Sequence, residues 1–439
     1  MVGAPVHDVR FEADRWLDLC DVIWAGGYDP DGRGYFVGSL NEALQSKSNG
    51  TNPVIGVFSG EWDDTNTNIG GDISRIYINT SRTDDWMLIG VGPTRPYLHL
   101  TGNIAKTGSG EGGSMTLRNL ELEGRGIVHA APKMDAIAIQ DVFLHDYTLD
   151  GLGSSDMDPG YRLTVTLTDF EVTRCGQGNT KHNIYVSTRD CDVYGYRINS
   201  YASNGSIACK IKADNFFLED CYFGTVADFD FPETGPWSSS LLDFPACGYR
   251  IIRNCYFQAA KYLVGEGSTR MIHMRARRSI NAADQPPYGS ADFNDQNFWL
   301  DPESYGWPAE FTTLVENPTF HWVDIDGRAA SPGVANDGTY PRKNLGGFGA
   351  CSAWLNVPAA WFERSVARVT NPTWIGMSPT YDMDFTECTD EEETDVVRFN
   401  PTPTRFYFAD GVQFGRIVMK GWGSDLLIGD SVTAQKIPG

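Results

Sequence analysis

Positive charge is scarce in this chain. Lysine and arginine number 35 against 57 aspartates and glutamates in 439 residues, a formal net charge of −22. A nucleic-acid-binding protein needs a basic footprint to displace counterions from phosphates, so broad nucleic-acid binding is excluded. The balance favours solubility in a saline or extracellular setting. Long apolar runs are missing too: nothing approaches the ~20 residues of a spanning helix, and no membrane insertion is expected. The opening "MVGAPVHDVRFEADRWLDL" has no basic start followed by an apolar run, the mark of a secretory signal. The expected setting is extracellular or virion-associated, reached without a signal in this chain, for example by incorporation into a virus particle.

Cofactor and nucleophile motifs are absent as well. The nine cysteines cannot all pair internally, and none stands in CxxC or other metal-ligand spacing, so zinc is not expected. Cys175, Cys191, Cys209, Cys221, Cys247 and Cys255 fall on or beside predicted strands and read as buried thiols packing like small hydrophobes. Cys221 and Cys255 are the pair whose stacking would permit a disulfide. There is no SxxK, GxSxG, HExxH or phosphate-loop pattern. The acidic "TDEEETD" lacks the alternating oxygen ligands and central glycine of a calcium loop. No cofactor is expected, and calcium has no motif to indicate it.

What is present is a repeat. Short apolar alternations end in small turns at Arg118-Asn119-Leu120, Gln140-Asp141-Val142, Thr168-Asp169-Phe170, Arg189-Asp190-Cys191, Glu219-Asp220-Cys221 and Arg253-Asn254-Cys255. The steps between them are 22, 28, 21, 30 and 34 residues. A loose period of this length means a unit that buries its apolar side only by stacking on the next. Asn and Asp allow the tight corners. The expected fold is all-β, a right-handed parallel β-helix (solenoid).

Upstream, "SLNEALQSKS" has Ser39 and Glu42 in capping-box spacing, so a short helix is expected to cap one end. Three regions follow: 1–55 as N-terminal cap and first strand, 56–329 as parallel β-helix with loop insertions, and 330–439 as an irregular, β-rich C-terminal region or capping domain. The period fades after Ile280, where a Pro-, Gly-, Asp- and aromatic-rich stretch reads as a long ordered loop or a coil with insertions.

Three segments concentrate basic residues in this acidic chain: "KHNIYVSTRD" (181–190), "IACKIKAD" (207–214) and "MIHMRARRS" (271–279). Lys210 and Lys212 are two apart and share a strand face, as do His273, Arg275 and Arg277. His182 and Lys210, 28 apart, read as one coil; Lys212 and Arg275, 63 apart, as two long ones. Stacked like charges destabilise a sheet unless aspartates or an anionic ligand compensate, and both readings stand. A polysaccharide with regular carboxylates would match such a column. Eliminating a uronic acid needs a cation at the carboxylate, a base for the C5 proton and an acid for the leaving oxygen. Lys210, Lys212, Arg275 and Arg277 can supply cation or base; His182, His273 and Tyr185 can transfer protons. Hydrolysis would instead need paired carboxyl groups. Asp190, Asp192, Asp214, Glu219, Asp220 and Asp243 lie near, with Asp214 the best placed and Asp220 read as a turn residue. The many tyrosines of the repeats are candidates both for core packing and for a carbohydrate platform.

The helix followed by "VIGVFSGEW", the "MTLRNLELEG" coil and "KHNIYVSTRDCDVYGYRI…IKADNFFLEDCYF" resemble right-handed parallel β-helix proteins of the pectin-lyase-like class over about residues 36–280. The resemblance implies a carbohydrate-active protein. Its branches hold uronate lyases, epimerases, polygalacturonases and viral tailspike depolymerases, many tailspikes being trimers. The basic column makes a polysaccharide lyase acting on an acidic glycan the expected function. The alternatives are a homotrimeric tailspike or surface protein that binds glycan without cleaving it, and a glycoside hydrolase with paired carboxylates.

Overall fold

A computed structural model describes most of residues 16–261 apart from short segments and the longer stretches 64–77 and 225–239, and beyond them strands between 270 and 437. The chain is all-β in character. Every strand pairing among the described residues is parallel, in sheets of 20, 9 and 3 strands. The chain alternates between the two larger sheets. Ser114–Gly124 lies in the 20-stranded sheet and Val128–Ala130 in the 9-stranded one; Ala136–His145 and Leu152–Ser154 repeat that order. Ser114–Gly124 pairs with Ala136–His145, and that strand with Leu163–Thr173, in unbroken register on both sides of a central turn.

Alternation decides which side faces inward. The register file Ile55–Leu88–Leu117–Ile139–Leu167 is at most 1 % exposed. Beyond the turn, Leu98–Leu122–Leu144–Val172 is equally buried. Each such side chain contributes about 1.5–3 kcal/mol of burial. Outward positions carry threonine, charge and, further along, aromatics.

The turn itself is a file of left-handed residues. Asn119, Asp141, Asp169, Arg197, Asp220, Asn254 and Asn317 all have φ between 50° and 54°. Asn and Asp tolerate this conformation because their short side chains bond locally. At the head of the file Asn119 donates from Nδ2 to Gly90 O at 3.0 Å; a Cβ on Gly90 would stand 1.9 Å from Asn119 O, so only glycine fits. The expected turn at Asp190 is corrected: Asp190 precedes the strand Cys191–Tyr196, and the turn position belongs to Arg197. An arginine here carries a strain of about 1–2 kcal/mol. Its guanidinium bonds Asp169 in the preceding turn (Nη2 to Oδ2, 2.6 Å) and lies 4.0 Å from the Tyr196 ring centre. The steps through Arg197 are 28 and 23 residues rather than 21 and 30.

The expected fading after Ile280 is also corrected in part. Tyr249–Arg253 pairs with Thr312–Glu316, and Asn317 resumes the turn file. Val366–Thr370, Arg405–Phe408 and Asp425–Ile428 continue in the same sheet. The acidic "TDEEETD" lies outside the described residues.

The capping box is present: Glu42 N donates to Ser39 Oγ at 3.1 Å, and Ser39 N to Glu42 Oε2 at 2.8 Å. The helix Leu40–Gln45 buries Leu40, Ala43 and Leu44 in the core. Its far end is closed by a buried arginine. Arg82 donates to Lys47 O and Ser48 O at 2.7 Å each and to both Asp84 carboxylate oxygens at 2.7 and 2.6 Å. Asp84 in turn accepts from the Gly50 and Asn52 N–H groups.

None of the six cysteines whose side chains are described is in a disulfide, and all but Cys20 are buried. Burial pushes the thiols of Cys20, Cys175, Cys209 and Cys255 up, so they are poor nucleophiles. Native protein treated with a thiol-specific chromogenic disulfide is expected to release almost no chromophore from the buried five, with labelling appearing on unfolding. Fast native labelling of Cys175 or Cys255, read by peptide mapping, would contradict this packing.

Candidate functional site

The 9-stranded sheet carries four of the basic-column residues, His182, Lys210, His273 and Arg275, on nearby strands. His182–Val186, Ile207–Ile211, Ser240–Phe244 and Arg270–Arg275 run side by side in parallel. The register aligns Tyr185, Lys210, Asp243 and His273 in one file. Lys212 lies one residue past its strand, its N–H donating to Val186 O at 2.8 Å. Both ammonium groups converge on one ring: Lys210 Nζ is 5.5 Å and Lys212 Nζ 5.1 Å from the centre of Tyr185. Such contacts contribute about 0.5–2 kcal/mol each.

The expected pairing of His182 with Lys210 is corrected. His182 aligns with Ile207, and Lys210 with Tyr185, a step of 25 residues rather than 28. His182 is 3 % exposed, its ring edge-on to Tyr185 at 5.0 Å between centres. Its backbone N–H donates to Asp150 Oδ1 at 2.8 Å, and its ring Nδ1 has no hydrogen-bond partner among the described residues. Burial first, and then the Lys210 charge, lower its pKa to about 3. The imidazole is therefore neutral at neutral pH and supports Tyr185 from beneath. The unfolded chain binds a proton at this residue below about pH 6.5 while the folded one does not. Stability from this group is therefore full above pH 6.5 and falls by about 1.4 kcal/mol per pH unit down to about pH 3. His182→Gln is expected to flatten the dependence of the urea midpoint on pH between these limits; an unchanged slope would remove His182 as its source.

Two carboxylates support the cations. Asp243 is fully buried, with Oδ2 3.9 Å from Lys210 Nζ. Asp150 lies 3.6 Å from Lys181 Nζ; burial raises its pKa against the His182 N–H and Lys181. Asp150 carried no signal in the sequence, since it stands in a corner one row away. Asn183, at 0 % exposure, also went unread as more than part of "HNIYV". It donates to Tyr201 O at 2.8 Å and accepts from Cys175 N at 3.1 Å, tying this strand to the neighbouring sheet. Arg275 closes its strand opposite Cys351, and only its strand position is described. Arg189 and Arg277 lie outside the described residues.

The hydrolytic candidates are held differently. Arg162 binds Asp192 through Nε and Nη2 at 2.7 and 2.6 Å and Asp214 through Nη1 at 2.7 Å. The Arg162 hydrogen bonds hold the Asp192 carboxyl below its usual range. A carboxylate clamped this way stays ionised and cannot serve as general acid at neutral pH. Asp220 occupies the left-handed turn at φ 54°, as its recurrence predicts.

Among the described residues no group of three His, Cys, Asp or Glu side chains is arranged to hold a metal ion, and no helix is long and apolar enough to cross a membrane. No family model matches this chain, and neither the curated proteins nor the solved structures contain a match to it.

Proposed function

We propose that the chain winds as a right-handed parallel β-helix of the pectin-lyase-like kind and cleaves an acidic, uronate-bearing polysaccharide by β-elimination at the Tyr185–Lys210–Lys212 face. The observation that carries this reading is the convergence of two ammonium groups on one tyrosine ring in a chain of net charge −22. In this mechanism Lys210, steadied by Asp243, neutralises the uronate carboxylate and the charge that builds beside C5. Lys212 in its neutral form takes the C5 proton. The freed electron pair forms the C4–C5 double bond and expels the glycosidic oxygen, which takes a proton from the Tyr185 phenol. His182 stays neutral and holds the Tyr185 ring. Arg275, two strands beyond Lys212, extends the column along the sugar chain.

The test is incubation of the pure protein with acidic and neutral polysaccharides, following the near-ultraviolet absorbance of unsaturated uronate and reducing ends in parallel. Both signals are expected from a uronate polymer, and both should be lost in Tyr185→Phe. Ends without absorbance would indicate hydrolysis and overturn the elimination.

The Lys210–Asp243 ion pair also favours a second reading. A lysine paired with a buried carboxylate can hold a polyanion without moving a proton, as a tailspike or surface protein that retains glycan uncut would need. Retention of the uronate polymer with no new ends would select this reading.

A further inference from the structure

The outward face of the 20-stranded sheet carries an apolar line, on a different sheet from the lysine site. Three tyrosines on it are among the most exposed large side chains described: Tyr194 at 51 %, Tyr196 at 38 % and Tyr249 at 57 %. Register joins them. Tyr194 pairs with Phe217 and Phe217 with Ile251; Tyr249 lies two residues before Ile251 on the same strand and so on the same face. At about 4.8 Å per strand, Tyr194 and Tyr249 are about 10 Å apart across the sheet, and the line from Tyr196 through Phe217 to Tyr249 crosses it obliquely. On the three preceding strands the Tyr194 file holds Thr116, Ala138 and Thr166, so the large rings begin abruptly.

Both flanks of the line are polar groups already paired with one another. On one side Arg162 holds Asp192 and Asp214, and Asn215 Nδ2 donates to Asp192 at 2.7 Å. On the other Arg253 bonds Glu316 at 2.8 Å and lies 3.7 Å from Glu219. A ligand here meets flat apolar area in the middle and fixed donors and acceptors at both edges. That is the chemistry of a pyranose ring, with C–H faces and hydroxyl rims. The line is narrow, a few side chains wide, well below the ~800 Å² per partner of a stable protein interface. Arg197, 4.0 Å from the Tyr196 ring centre, pairs with Asp169; five carboxylates against three arginines leave a local excess of negative charge, which disfavours a uronate or sulfated chain.

We propose that Tyr194, Tyr196, Phe217 and Tyr249 form a binding track for a neutral oligosaccharide, separate from the acidic-glycan site. The experiment is affinity electrophoresis of the intact chain through gels containing soluble β-glucan, galactomannan or polygalacturonate, with sedimentation of the same samples. Retardation by at least one neutral polymer is expected. Tyr249→Ala should weaken it about tenfold, as loss of one stacking ring would. Tyr249→Trp should retain it, and both variants should keep the wild-type circular dichroism. Retardation by neither neutral polymer would overturn the proposal, as would equal retardation of wild type and the Tyr194→Ala/Tyr249→Ala double variant. A concentration-dependent oligomer that dissociates in the tyrosine variants would show instead that the line is a contact between copies of the chain. None of these outcomes depends on cleavage at Lys212, so failure here leaves the elimination reading standing.

Discussion

Arg82→Met is expected to lower the unfolding free energy by about 3–5 kcal/mol. The Arg82 and Asp84 side chains are only 3 % and 4 % exposed, so removing the guanidinium strands a buried carboxylate. The same change releases the carbonyls of Lys47 and Ser48, which lie just past the end of the helix Leu40–Gln45. The double variant Arg82→Met/Asp84→Leu should recover a large part of the loss, because no unpaired charge then remains. Urea unfolding followed by circular dichroism measures both. A loss below 1 kcal/mol in the single variant would mean that water reaches Asp84. Acid should mimic the arginine deletion. Burial raises the Asp84 pKa, but the Arg82 and backbone hydrogen bonds outweigh it and leave the pKa depressed. Its contribution is therefore present above the ordinary aspartate range and is lost as pH falls through the folded value.

Lys212→Ala is expected to reduce kcat/KM on a uronate polymer by about 10²–10³-fold, the scale on which a single charge-stabilising or proton-transferring group counts. Lys212 is the better test than Lys210. Truncating Lys210 would remove the cation 3.9 Å from the buried Asp243 carboxylate and put the fold at risk. If Lys212 takes the C5 proton, Lys212→Arg restores binding but not turnover, because an arginine stays protonated. If Lys212 only binds, Lys212→Arg restores both. A wild-type rate in Lys212→Ala would remove it from the reaction.

The turn file was legible in the sequence wherever Asn or Asp occupied it, because those side chains are the ones that stabilise a left-handed corner. Arg197 was illegible for the converse reason: nothing about an arginine announces positive φ, and its stabilisation comes from Asp169 a row away. Asp190 was misread since Arg189-Asp190-Cys191 imitates Glu219-Asp220-Cys221 locally while lying at the start of its strand. The shared face of Lys210 and Lys212 followed from their period of two and needed no loop geometry, but their meeting at Tyr185 did need it. The alignment of His182 needed it too, because the residues between neighbouring strands set the register and their number varies. The roles of Asp243 and Asp150 depend on the same connections and could not be counted out along the chain. The Arg162 clamp on Asp192 and Asp214 joins residues 30 and 52 positions apart, beyond any local pattern.

From Asn254 to Asn317 the turn file advances by 63 residues, yet both ends have nearly the same φ and the strands beyond them pair as elsewhere. Closing 63 residues rather than 28 adds only about 0.7 kcal/mol of chain entropy. A step between neighbouring strands that can lengthen so far at so small a thermodynamic penalty is a graft point. Segments can be lengthened, exchanged or deleted there over evolutionary time while the sheets on either side keep their order, so new recognition surfaces can be tried without redesigning the scaffold.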